Sequence, residues 1–138
     1  MHVFPGKTGS RLVLAACLAM IAIPVLAAQN EEVGVELVIA TSIDEDREPV
    51  GAGTSFPADV GELVAWSRVT GGTDTAIEHV WRFPDGGIEA VVPLDIGGSP
   101  WRTWSRKAIP PEWAGEWVVE VRDAQGNVIS STSVRVGP

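Results

Sequence analysis

Beyond residue 28 the apolar side chains recur at every second position and never sustain a helical period. Ile88, Ala90, Val92, Leu94 and Ile96 alternate with Glu89, Val91, Pro93 and Asp95, and Trp117, Val119 and Val121 alternate with Glu116, Glu120 and Arg122. A strand sends successive side chains to opposite faces, so this alternation is the mark of a half-buried sheet. Comparable runs occupy Val33 to Ile43, Gly53 to Phe56, Leu63 to Val69, Ile77 to Phe83, Trp101 to Arg106 and Val128 to Val136. Turn formers separate them, most plainly Pro84-Asp85-Gly86-Gly87 and Asp123-Ala124-Gln125-Gly126-Asn127. About seven to eight short strands in a domain-sized segment predict an all-β, Ig-like antiparallel β-sandwich over residues 33–138.

The same residues limit how such a sandwich is held. The single cysteine, Cys17, lies upstream of every strand, and the chain has no tyrosine. An inter-sheet disulfide and a tyrosine corner are therefore both excluded. Pro93 has no N–H to give to a ladder and marks an edge strand or a bulge.

Residues 1–28 follow different rules. Lys7 and Arg11 precede an apolar run from Leu12 to Leu26, which ends at Ala27 and Ala28. A basic start, a short apolar core and small residues at its end predict a secretory signal peptide, cleaved after Ala27 or Ala28. The run is short for a membrane span and contains Pro24, although a retained N-terminal anchor is the alternative. Leu14-Ala15-Ala16-Cys17 stands before the long apolar run, where a lipidation box does not belong. Gln29 to Glu32 is a short polar connector, and the expected location is periplasmic or secreted.

No acid occurs before residue 29, so the remainder sets all 18 Asp and Glu against the eight Lys and Arg other than Lys7 and Arg11, a net charge of −10. Such a surface repels phosphate backbones and anionic lipid, which excludes nucleic acid as the main partner and strong membrane binding after cleavage. Asp44, Glu45, Asp46 and Glu48 cluster beside Arg47, but lack the glycine and spacing of a calcium loop, so an acidic turn is expected. His79 is the only histidine after residue 28 and lies among Ile77, Trp81 and Phe83. A histidine on an apolar face without histidine partners reads as a hydrogen-bonded core residue. No nucleophile elbow, zinc-binding His pair or phosphate loop appears, and no catalytic residue, metal or cofactor is expected.

The residues that suggest a surface lie between Ser99 and Trp117, which hold four of the six tryptophans. Trp101, Thr103 and Ser105 share one strand face; Arg102, Trp104 and Arg106 share the other. Two unpaired arginines inside a small core would cost several kcal/mol each, on the order of the stability of the whole domain. Arg102, Trp104 and Arg106 are therefore placed outward and Trp101 inward. Trp117 reads as core and Trp113 as a cap on one end of the sandwich. Arg102, Trp104, Arg106 and Lys107, with Arg47 and Glu48 nearby, form the candidate partner-binding patch. An envelope protein or a glycan is the expected partner, with sugar stacking on Trp104 or Trp113 as the alternative.

Four segments in order then carry a resemblance: Asp46-Arg47-Glu48-Pro49-Val50, His79-Val80-Trp81, Trp101-Arg102-Thr103-Trp104-Ser105-Arg106-Lys107, and Pro111-Glu112-Trp113-Ala114-Gly115-Glu116-Trp117. Together with Asp123, Gly126 and Asn127, the chain from about Ile39 to Val136 resembles the bacterial domain of unknown function family number 2914. The resemblance implies a bacterial all-β domain found near membrane or exported segments. It brings no catalytic residues with it.

Overall fold

A computed structural model describes residues 33–138; the signal peptide and connector expected over residues 1–32 lie outside the described residues. Ten strands run in chain order: β1 (Gly34–Ala40), β2 (Ser42–Ile43), β3 (Pro49–Val50), β4 (Ser55–Phe56), β5 (Gly61–Thr70), β6 (Thr75–Arg82), β7 (Ile88–Ile96), β8 (Trp101–Ile109), β9 (Gly115–Arg122) and β10 (Val128–Val136). Among the described residues only a 3-10 turn, Pro111–Trp113, interrupts them. One sheet has the order β1-β5-β8 and the other β4-β10-β9-β6-β7, while β2 and β3 form a separate small hairpin. All pairings are antiparallel except that of β4 with the end of β10. This is the Ig-like sandwich, with the fourth long strand, β7, kept on the sheet of β6.

Alternation decides which face is buried. Leu63, Ala65, Ser67 and Val69 of β5 face Ile77, His79 and Trp81 of β6 and Trp117, Val119 and Val121 of β9 across the sandwich, and all are buried. The apolar residues form two clusters. One contains Leu63, Ala65, Trp81, Ile109, Trp117 and Val119; the other contains Val69, Ile77, Ile96 and Val121.

Between the clusters lies a polar layer. The His79 ring is fully buried, with Nε2 2.8 Å from Ser67 Oγ and Nδ1 2.8 Å from Ser105 Oγ. The Trp81 indole N–H donates to the same Ser105 Oγ at 3.1 Å. If Ser105 donates its proton to Nδ1, its oxygen accepts from Trp81 and Nε2–H donates to Ser67, which leaves both ring nitrogens satisfied. Ser67 and Ser105 belong to the three-stranded sheet, and His79 and Trp81 to the five-stranded one, so the layer ties the two sheets together.

Two expectations from alternation, the inward placement of Trp101 and of Ile88, need correction. Trp101 has the inward parity but is 37% exposed, because it lies at the end of edge strand β8 and covers Gly97 and Gly98. Ile88 and Val128 are half exposed. Each stands next to a bulge: Trp81 pairs with Ala90 and Arg82 with Ile88, and Val121 pairs with Ser130 and Arg122 with Val128. The extra residues, Glu89 and Ile129, break the period of two and re-aim the side chains around them. The strand count also exceeds expectation, because the acidic turn and its neighbours form the β2–β3 hairpin.

Burial lowers the pKa of His79 from 6.5 to about 4, because the charged ring cannot be solvated there. The unfolded chain takes up this proton near pH 6.5 and the folded one only near pH 4. Stability is therefore full above pH 6.5 and declines as the pH falls toward 4, by roughly 3 kcal/mol. Denaturant melts across this range should show the loss. His79→Gln, without a titrating ring, should be less stable at pH 7.5 but have a flatter profile between pH 6.5 and 4.

Candidate functional site

The outer face of the three-stranded sheet is built in rows. Register places Glu36, Arg68 and Arg102 side by side, then Val38, Trp66 and Trp104, then Ala40, Val64 and Arg106. Ala40, Val64 and Trp66 are nevertheless buried, at 0%, 0% and 3% exposure. Parity alone places them outward, so a third layer must cover them, and the β2–β3 hairpin is held against this face.

The hairpin shares its turn chemistry with two others. Asp44 N–H donates to Glu48 O and Arg47 N–H to Asp44 O; Phe83 with Gly87 and Gly86, and Asp123 with Asn127 and Gly126, repeat the pattern. The fourth residue of each loop has positive φ, 92° at Gly86, 86° at Gly126 and 66° at Arg47. Glycine takes that conformation freely, whereas another residue pays about 1–2 kcal/mol. Asp44 Oδ1 helps hold the turn by accepting from the N–H groups of Asp46 and Glu48.

Arg47 is where the hairpin meets the sheet. Its guanidinium carbon lies 4.9 Å from the centroid of Trp104, its Nη2 donates to Arg102 O at 2.9 Å, and its carbonyl accepts the Trp66 indole N–H at 3.0 Å. Arg102 Nη1 reaches back to Asp46 O at 2.9 Å and Glu48 Oε2 at 2.7 Å. Both members of the Arg102–Glu48 ion pair are substantially exposed, so it contributes at most about 1 kcal/mol. Burial of Trp66 and the stacking of Arg47 on Trp104 add apolar and cation–π terms to this link.

Four of the sequence-predicted residues, Arg47, Glu48, Arg102 and Trp104, are thus in mutual contact. Arg106 continues the same face and lies 3.8 Å from Glu62, both half exposed. Lys107 does not join them. It has the opposite parity, its Nζ is 3.0 Å from Glu89 Oε2 and 5.2 Å from the Trp113 ring, and it bridges the edges of the two sheets. The bulge at Glu89 brings the carboxylate there. Arg68, which sequence reasoning passed over, adds a further exposed cation opposite Arg102, and Trp66 supplies the floor under Arg47.

On the other sheet, Glu120 is clamped by Arg82 at 3.0 Å and Arg122 at 2.8 Å. Burial acts to raise its pKa, but the hydrogen bonds and charges of Arg122 and Arg82 outweigh this and lower it. These two cations are occupied. At one end of the sandwich, Trp113 packs on Phe83 and Trp117 with ring centroids 5.1 and 6.2 Å away, and Trp117 donates its indole N–H to Trp113 O. A cleft of about 350 Å³ lies there, lined by Phe83, Pro84, Asp85, Glu112, Trp113 and Ala114. Among the described residues no three His, Asp or Glu side chains converge as metal ligands would.

Residues 74–136 match the family described as "Protein of unknown function (DUF2914)", the family that the sequence resembles. The matched span contains β6 to β10 and the polar core residues His79 and Ser105, and excludes the Arg47 hairpin. No curated protein matches the sequence. Among solved structures, a β-glucosidase from Listeria innocua in complex with glucose is 11% identical at a TM-score of 0.43, over 78% of this chain and 16% of that one. The Bifidobacterium adolescentis GH3 β-glucosidase gives 11% and 0.40 over 77% and 17%, and a β-glucosidase from Kluyveromyces marxianus 9% and 0.39 over 78% and 15%. The chain spans about a sixth of the length of these enzymes, and at such scores the likeness carries no activity or substrate to it.

Arg47 can be tested directly. Arg47→Gly removes the guanidinium and relieves the left-handed strain, while Arg47→Ala removes the guanidinium and retains most of the strain. Both should expose Trp104 and red-shift the tryptophan emission. Arg47→Ala should be less stable than Arg47→Gly by about 1 kcal/mol in denaturant melts.

Proposed function

We propose that the chain is an exported, non-catalytic binding module of the bacterial envelope, periplasmic or secreted, whose partner presents acidic groups. One observation carries the reading. A domain with a net charge of −10 gathers Arg47, Arg68, Arg102 and Arg106, four of its eight cations, around Trp104 on one sheet face. Solubility explains scattered acids but does not call for half the cations beside a half-buried indole. Arginine and tryptophan are the residue types that dominate binding hot spots. The apparent candidate for catalysis, His79, is sealed in the core with both nitrogens engaged.

Partner recovery from envelope extract, using wild type and an Arg102→Ala/Trp104→Ala double variant, tests this role. Loss of two central contacts should reduce recovery by about tenfold or more. Circular dichroism must show that the variant is folded. Equal recovery would remove this face as the contact surface.

Carbohydrate binding is the second reading, favoured by the Trp113 cleft, where an aromatic ring stands beside the carboxylates of Asp85 and Glu112. Carboxylates accept hydrogen bonds from sugar hydroxyls, and an indole offers an apolar face. Titration with neutral glycans should quench tryptophan emission in wild type and not in Trp113→Ala; a flat response in wild type would end the reading.

A further inference from the structure

We infer that β8 is a strand-docking edge, which takes an extended acidic segment of a partner protein as a fourth strand next to β5 and β8. This rests on the binding role proposed above and specifies its mode. A sheet edge offers a row of backbone donors and acceptors, and natural edges are usually blocked against it. The other edges of this sandwich are kinked, short or turned toward the facing sheet. β7 carries Pro93 near its middle and a bulge at Glu89. β4 has two residues, and beyond it the outer side of β10 has no strand partner among the described residues and lies toward β1. The free side of β1 lies toward β10, and its Ile39 carbonyl accepts Gly53 N–H.

β8 also lies toward β7, where Lys107 pairs with Glu89, but the strand itself is neither shortened nor kinked. It is nine residues long, contains no proline, and pairs with β5 without a bulge from Gly61 and Ile109 to Val69 and Trp101. Among the described residues no strand pairs with its other side. Only the Arg102 carbonyl near one end is engaged, by Arg47.

The side chains along this edge select the occupant. Arg102, Trp104 and Arg106 stand at alternate positions on the outer face, so a docked strand sets its own alternate residues opposite them, within roughly 5 Å. Acids opposite Arg102 and Arg106, with an apolar residue opposite Trp104, satisfy all three. The face already holds a carboxylate, that of Glu48 on Arg102, while Arg106 is only loosely engaged by Glu62 and Arg68 has no salt bridge among the described residues. A second copy fits badly. The antiparallel register that places Trp104 against itself sets Arg102 opposite Arg106 twice, and like charges in that position repel. Cations alone would serve to guard an edge, but guarding gives no reason for a tryptophan between them.

The test uses the full-length chain and two synthetic peptides, one with the repeat Thr-Glu-Thr-Val-Thr-Glu-Thr and one with Lys in place of Glu. Tryptophan fluorescence reports binding, and amide hydrogen exchange reports the mode. The Glu peptide should bind at least about tenfold more tightly than the Lys peptide. It should slow exchange at alternate amides of β8 and leave β7 unchanged. Arg106→Glu, at an exposed position, should abolish or reverse the preference while the fold persists. Binding without protection of β8, binding of neither peptide, or protection of β8 through dimer formation would each overturn strand docking. If the β8 result fails while Arg102→Ala/Trp104→Ala still loses its partner, the binding face stands and only the mode falls.

Discussion

Two sheets without a disulfide depend on their packing to stay in register, and here one hydrogen-bonded layer specifies that packing. His79 needs a serine from β5 at Nε2 and another from β8 at Nδ1, and Trp81 needs the same β8 serine. A slip of either strand by one residue would turn Ser67 or Ser105 outward and leave a buried nitrogen unpaired, at a cost of about 1–3 kcal/mol for each group. Apolar contacts alone tolerate small shifts, because Val, Leu and Ile can repack. The polar layer has few alternatives, so it specifies more than it stabilises. It also fixes the proposed binding face, because the register of β5 against β8 that brings Ser67 and Ser105 to His79 puts Trp66 beside Trp104 on the opposite side.

That opposite side shows what the conformation of Arg47 accomplishes. Two of the three like hairpins place glycine at the left-handed position, and the third places arginine there. The turn itself would be better served by glycine. What arginine adds is a guanidinium on Trp104 and a donor to Arg102, and the turn also brings the Arg47 carbonyl to Trp66. Backbone strain of this kind persists where surrounding contacts over-determine it. The hairpin therefore acts as a roof over Ala40, Val64 and Trp66 while leaving the arginines of β8 at its rim.

The sandwich was legible because strand alternation is a direct image of burial. Trp117, Val119 and Val121 face the core as their parity requires, Pro93 lies on an edge strand, and His79 is a bonded core residue. The sequence was opaque wherever burial came from something other than the facing sheet. Val64 and Trp66 are outward by parity yet buried, because a hairpin more than ten residues away in sequence covers them. Ile88 and Val128 are exposed because bulges, which no periodicity announces, displace the alternation. Lys107 was grouped with Arg106 as its neighbour in a basic run, although adjacent strand residues point to opposite faces. Strict application of that rule would have separated them. The contact of Arg47 and Glu48 with Arg102 and Trp104 has no local signal, because only the tertiary fold places the hairpin there.

The distribution of charge then gives the two sheets different roles. On the five-stranded sheet Arg82 and Arg122 converge on one carboxylate, Glu120, and their hydrogen-bonding capacity serves the fold. On the three-stranded sheet Arg68 and Arg102 are direct cross-strand neighbours, an arrangement that is unfavourable unless anions lie near. Glu36 beside Arg68 and Glu48 on Arg102 supply part of that compensation. Arg106, with only a loose partner, leaves the rest unmet at the exposed end of the row. An acidic strand placed along β8 would meet this remaining demand and would complete the backbone pairing of the same edge. Charge and hydrogen bonding would thus favour the same occupant through independent physical requirements.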